Sequence, residues 1–341
     1  MIFIILTLDY EIFGNGAGDV LRHVVKPTDR ILSILERYNV PLTIMFEVGE
    51  YLKFQEYDAQ IRKDKGYSYA EAMYKQVIKA YQKGHDVQLH IHPQWFQASY
   101  KNGKWIMDDP DVCISEFSAN EIDKIISTSR KCLENILKPI DSVYSCKVLR
   151  LTNLNWSEAP RCVFASMAKN NLHVHSLAVS TNPKNTKKGY WYLDKNYPII
   201  EIPIHALKMP IYKYVNRYRI ITALYRLLIS KFLWRNSKTR KKYKNIKKTQ
   251  KRQSIKNIFK KIFDFYPAKW DFCKQSSEEM IYFLLKAMEI YDWQNYDIPL
   301  VMIGHSKDFF NDRNLALFLE KVKELNNVKF TTFNNFINTI L

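Results

Sequence analysis

The sequence has few cysteines, and they follow no recognised pattern. Only five occur among 341 residues, and none has Cys-x-x-Cys spacing. A disulfide framework or a zinc knuckle needs an even number of cysteines at short, regular spacings. The composition therefore argues against both kinds of site and favours a reducing compartment. The five are Cys113, Cys132, Cys146, Cys162 and Cys273.

Long apolar runs are missing as well. The N-terminal run from Met1 to Leu8 is about eight residues long, far below the roughly 20 needed to span a bilayer. It has neither a basic segment before it nor a small-residue cleavage site after it, so we expect a buried strand rather than a signal peptide. This predicts a cytoplasmic location, with peripheral contact to the inner face of the membrane as a further option.

Acidic residues are absent from one stretch that holds most of the positive charge. The net charge is +18, but 235–263 carries 13 basic residues and no acidic one, which leaves +5 for the remainder. Apolar residues on both sides predict a helical hairpin insertion over 220–265 with a cationic tip. This tip has two main interpretations. Either it is solvated, or the segment from Arg235 to Lys261 contacts an anionic membrane surface. Nucleic-acid binding is disfavoured, because no recognition module is evident.

The rest of the chain alternates strands with helices, which predicts an α/β protein with a largely parallel sheet. About seven such units indicate one domain over 1–341, built as a closed or nearly closed barrel and interrupted by the insertion. Two strands are predicted to end at Glu11 and at His92. Six further strands are predicted over 42–46, 143–151, 173–179, 199–204, 299–305 and 328–332. Helices are predicted over 29–38, 69–82, 118–137, 158–170, 220–234, 276–291 and 315–325.

Two histidines stand one residue apart at the end of an apolar stretch. Side chains alternate faces along a strand, so His90 and His92 point the same way, and Pro93 should end the strand. Two imidazoles side by side at the mouth of a strand are suited to hold a metal ion. A pair of surface or core histidines is the plainer alternative.

Further polar residues fall at the carboxyl ends of other predicted strands, where the chemistry of α/β barrels collects. They are Asp9, Glu11, Arg150 and His305. One carboxylate and the two imidazoles could hold a divalent ion. The second carboxylate could accept a proton, His305 could donate one, and Arg150 could pair with the base. This set predicts metal-assisted hydrolysis.

Five fragments then resemble the polysaccharide deacetylase family, the NodB-homology carbohydrate esterases, in a branch with a His-x-His-Pro motif. They occur in the family's order: 6–11, 43–49, 84–93, 148–150 and 303–309. The resemblance implies a distorted (β/α) barrel, a divalent metal that is often zinc, and removal of an N-acetyl group from an amino sugar. Carried over by position, it makes Asp9 the catalytic base, Arg150 its partner and His305 the general acid, with Glu11, His90 and His92 as metal ligands.

The sequence also departs from the family pattern. Gln94 stands where the second metal histidine usually lies, Tyr10 stands where many members have an aspartate, and 151–153 lacks the usual glycines. A catalytically silent barrel that binds glycan or docks at a membrane is therefore the alternative function. The main expectation is an N-deacetylase that acts on an amino sugar in the precursor of a surface polysaccharide, such as lipopolysaccharide or capsule.

Overall fold

A computed structural model describes residues 1–152, 161–177, 179–180, 187–210 and 265–340. Within these residues the chain folds as a mixed α/β protein around a curled, barrel-like sheet. Its strands are β1 Ile2–Tyr10, β2 Thr43–Glu47, β3 Asp86–Ile91, β4 Ser99–Lys101, β5 Lys104–Ile106, β6 Val148–Leu151, β7 Val174–His175, β8 Val179–Ser180, β9 Trp191–Tyr192, β10 Ile200–Glu201, β11 Ile204–Pro210, β12 Phe265–Lys269, β13 Ile298–His305 and β14 Val328–Thr331.

The main sheet is largely parallel, as the alternation of strands and helices predicts. Its order is β12-β11-β13-β1-β2-β3-β6-β7-β10-β9, with β14 paired to β1 and β8 paired to β11. Among the described strands of this sheet, only β9 and β12 run antiparallel to their neighbours. Because parallel strands share a direction, their carboxyl ends meet at one edge of the sheet.

Helices follow most of the strands. They are α1 Lys26–Arg37, α2 Val48–Glu56, α3 Asp58–Lys65, α4 Tyr69–Gln82, α5 Ala119–Leu137, α6 Arg161–Lys169, α7 Ser277–Ile290, α8 Asp312–Lys323 and α9 Phe333–Ile340. Capping boxes begin α5 and α7, where Ser118 and Ser276 each accept a hydrogen bond from the backbone N–H three residues later. Among the described residues, we find no helix long and apolar enough to cross a membrane.

The two faces of the sheet have different roles. On β1, Leu6 and Leu8 face outward into the main core. Ile5 faces inward, where it packs with apolar residues of neighbouring strands and with Phe333 and Phe336 of α9. Further along the same inward face come Thr7 and Asp9, both buried. The interior is thus apolar at the amino ends of the strands and polar at their carboxyl ends.

Several predicted elements differ in extent. The predicted strand 143–151 is a strand only over Val148–Leu151, and Val143 is 84% exposed. Between the predicted strand that ends at His92 and the predicted helix 118–137, the structure contains the β4–β5 hairpin, which turns at Asn102-Gly103. Strand β12 begins at Phe265, where the predicted basic hairpin ends. The helical hairpin itself and its basic residues lie outside the described residues.

A buried histidine on β11 should make stability depend on pH. The His205 ring packs against Trp270, Phe283 and Tyr291, and burial lowers its pKa from 6.5 to about 4. The unfolded chain therefore takes up a proton that the folded chain excludes as pH falls from 6.5 towards 4. We expect a loss of about 3 kcal/mol of unfolding free energy over this range from His205 alone. Urea titrations at several pH values should show that His205→Phe removes this loss, whereas the more exposed His173→Phe changes the profile less.

Candidate metal centre and active site

Strand register brings the predicted site residues to one edge of the sheet. Asp9 on β1 lies opposite His305 on β13. Across the other strands, Glu47 on β2 lies opposite His90, and His90 lies opposite Arg150 on β6. The polar residues therefore stand in a row across neighbouring strands at their carboxyl ends.

Three of the predicted residues form a compact group of ligand atoms. His92 Nε2 lies 2.6 Å from Glu11 Oε2 and 3.1 Å from His90 Nε2. His90 Nε2 lies 3.5 Å from the same Glu11 oxygen. All three side chains are buried. Ligand atoms bound to one ion at about 2.0–2.2 Å in a tetrahedral site are separated by similar distances. The donor set therefore fits a small divalent ion.

The far side of His90 is occupied as expected for a metal ligand. His90 Nδ1 donates to the Arg150 carbonyl oxygen at 2.9 Å, which leaves Nε2 facing the group. The Gln94 amide lies 3.0 Å from His92 Nδ1. Gln94 is therefore the partner behind His92 and does not take part in the group of ligand atoms.

Asp9 is held beside this group by a buried arginine. Arg150 Nη1 donates to Asp9 Oδ1 at 2.5 Å, while Asp9 Oδ2 lies 3.4 Å from His305 Nε2. Burial would raise the pKa of Asp9, but the Arg150 guanidinium, together with His90 and His305, outweighs it and lowers the pKa to about 2. Asp9 is therefore anionic at neutral pH, with Oδ2 directed towards His305.

His305 completes the row in its neutral form. Burial lowers its pKa to about 4, and the nearby Lys274 ammonium adds to the effect. A neutral imidazole at this position can accept a proton, and it can donate one only after it has gained it.

Three further ionisable residues complete the site. Lys307 binds Glu11, Glu47 accepts from the backbone N–H groups of His92 and Glu50, and Glu50 accepts from that of Ile12. Burial raises the pKa of Glu47 to about 8, so it holds a proton at neutral pH. Sequence reasoning missed all three. The signal for Glu47 was available, because it ends an apolar strand just as Asp9 does.

Aromatic side chains near predicted strand ends, such as those of Trp95 and Trp156, could stack on a sugar ring. Trp95 is fully buried and packs against Phe54 and Trp105, so it belongs to the core. Trp156 lies outside the described residues.

Comparison with known proteins supports the fold. No family model and no curated protein matches the sequence. Among solved structures, the alpha-amylase AmyC from Thermotoga maritima matches 99% of this chain and 74% of its own, at 10% identity and a TM-score of 0.52. This match shows a shared fold. A proposed polysaccharide deacetylase from Mycobacterium smegmatis matches 99% of this chain and 89% of its own, at 12% identity and a TM-score of 0.49.

A further match is the Xyl-CE4 domain of a multidomain xylanase from the hindgut metagenome of Trinervitermes trinervoides. It covers 99% of this chain and 90% of that one, at 11% identity and a TM-score of 0.40. The distorted (β/α) barrel predicted from the sequence is confirmed, and proteins of the predicted family are among the solved structures that match it. At these identities the likeness concerns the fold, and the reaction has to be argued from the site.

Proposed function

We propose that this chain is a metal-dependent hydrolase that removes the N-acetyl group from an amino sugar. The observation that carries the proposal is the convergence of Glu11, His90 and His92 beside the Asp9–Arg150 pair and His305. A purely structural histidine pair would not need the buried Glu11 carboxylate beside both imidazoles. Nor would it need a second carboxylate, that of Asp9, 3.9 Å from His90. Burying these charges is costly unless each is paired or used.

The proposed role of each site residue follows from its contacts. Glu11, His90 and His92 would hold a divalent ion, with zinc as the first choice for this donor set. When bound, the ion supplies a lowered pKa for water and polarisation of the amide carbonyl. Asp9 accepts the proton of the attacking water through Oδ2, since Arg150 occupies Oδ1.

The leaving amine requires a proton, and His305 is placed to give it. Its resting form is neutral, so it must first gain a proton. Asp9 Oδ2, 3.4 Å from His305 Nε2, is the neighbour that can pass one on. One water and one amide then yield acetic acid and a free amine, with one water proton moving through Asp9 and His305 to the nitrogen. The acetic acid ionises to acetate at neutral pH and releases its proton to solvent. Asp9 and His305 thus act in sequence as base and acid.

Acetate release from N-acetylated amino sugars tests the proposal. We expect Asp9→Asn and His305→Ala to lower the rate by about 10²- to 10⁴-fold, the usual contribution of a positioned acid or base. Asp123→Asn is the matched control, because it removes a partly exposed carboxylate of α5 whose ion-pair partner is Lys169 and not a residue of the site. Unchanged acetate release in both site variants would refute the mechanism. Metal binding without any acetate release would favour the silent, glycan-binding barrel instead.

The finer parts of the proposal concern the substrate and the place of action. We take the substrate to be an amino sugar in the precursor of a surface polysaccharide, processed in the cytoplasm. Membrane contact through Arg235 to Lys261 stays a prediction, because that segment lies outside the described residues.

A further inference from the structure

A buried lysine contacts the proposed metal ligand Glu11 from the side opposite the histidines. Lys307 lies in the short helical turn Ser306–Asp308 that follows β13, and its side chain is 5% exposed. Its Nζ donates to Glu11 Oε1 at 2.5 Å and to the Ile12 carbonyl oxygen at 2.7 Å. The ammonium also lies 5.6 Å from the centre of the Phe13 ring.

These contacts divide the two oxygens of Glu11 between two sets of partners. Oε1 belongs to Lys307, whereas Oε2 lies 2.6 Å from His92 Nε2 and 3.5 Å from His90 Nε2. The bond to Ile12 anchors the lysine to the residue that follows Glu11 in the chain. Rotation of the carboxylate towards the histidines with both oxygens would break the charged hydrogen bond to Lys307.

We propose that Lys307 is a positioning residue that restricts Glu11 to a single-oxygen metal ligand. This inference rests on the proposed metal centre. Partners behind metal ligands commonly fix the orientation of those ligands, and a catalytic site must keep a coordination position free for water. With one oxygen of Glu11 withheld, the protein supplies three ligand atoms rather than four.

Simple charge neutralisation does not account for this arrangement. An ammonium anywhere near Glu11 would balance the carboxylate. Here the nitrogen is fixed by Ile12 and Phe13 on the side away from both histidines. Lys274 gives a useful contrast, since it is also largely buried near the site but pairs with Asp271 and Asp308.

Cobalt substitution reports the number of ligands directly. The full-length protein would be loaded with Co²⁺, whose visible absorption bands weaken as coordination number rises above four. We expect an intense band in the wild type and at least a twofold weaker band in Lys307→Met, because Glu11 becomes free to bind through both oxygens. Lys307→Arg should restore the intensity, since a guanidinium can also hold Oε1. Lys274→Met, which removes an equal charge nearby, should leave the band unchanged.

The outcomes separate this inference from the proposed function. If Co²⁺ binds and Lys307→Met has the spectrum of the wild type, Lys307 does not restrict Glu11, although the metal centre stands. An equal change in Lys274→Met would also overturn the inference, because the effect would then be one of charge alone. Failure of the wild type to bind Co²⁺ would refute the metal centre and, with it, any ligand for Lys307 to position. Circular dichroism of each variant confirms that the fold is retained.

Discussion

Replacing His90 or His92 by alanine is expected to lower the affinity for Zn²⁺ by more than about 100-fold, beyond the usual effect of losing a partner behind a ligand. Each imidazole places its Nε2 within 3.5 Å of Glu11 Oε2, and the two nitrogens lie 3.1 Å apart. Removing either one leaves the ion with two protein ligands. Plasma mass spectrometry of the purified proteins, with a chelator competition for the affinity, measures the effect.

The matched control is His205→Phe, which replaces a buried histidine on β11 that packs among aromatic rings. It should retain near-stoichiometric metal. Retention of the metal in both site variants would show that the ion binds elsewhere. Absence of metal from the wild type, even after reconstitution, would favour the non-catalytic interpretation.

A Gln94 variant, measured in the same experiment, tests the role of this residue in metal binding. The family resemblance left open whether Gln94 replaces a metal histidine. In the structure its amide contacts His92 Nδ1, the nitrogen away from Glu11. We therefore expect Gln94→Ala to weaken metal binding by about 10- to 100-fold, as loss of an outer partner does, without abolishing it.

The parts of the site that follow from the sequence are those set by local periodicity. The alternation of strand side chains places His90 with His92, and Asp9 with Glu11, on one face without knowledge of the fold. The parallel sheet then brings the carboxyl ends of β1, β3, β6 and β13 together. All six predicted residues consequently lie at one edge, although their roles stay proposals.

The parts that could not be predicted depend on contacts between distant segments. Lys307 and Glu11 are 296 residues apart, and nothing in the local pattern shows that their side chains meet. The pairing of β12 could not be predicted either. Its sequence continues the apolar flank of the basic segment, but the strand pairs antiparallel with β11. Short hairpins such as β4–β5 carry too few residues for an alternating pattern to be recognised.

Breaking the Asp9–Arg150 pair should cost more stability than any other single change in the site. Arg150 is 1% exposed, and it donates to Asp9 Oδ1, Thr7 Oγ1 and the Ser176 carbonyl oxygen. Removing one member of a buried pair leaves the other charge without compensation, which typically costs 3–5 kcal/mol. We expect Arg150→Met to lower the free energy of unfolding by about that amount, as measured by urea denaturation at pH 7.

The double variant Asp9→Asn/Arg150→Met distinguishes a charge effect from lost packing. If the cost comes from the uncompensated Asp9 carboxylate, the double variant should be more stable than Arg150→Met, and the two single effects should not add. The pH dependence has a definite sign. Because the folded pKa of Asp9 is about 2, below its ordinary value of 3.8, the pair stabilises the protein above pH 4 and loses this effect as pH falls towards 2. In Arg150→Met this acid-dependent loss should shrink, and additive single effects would instead assign the role of Arg150 to packing against Ser176.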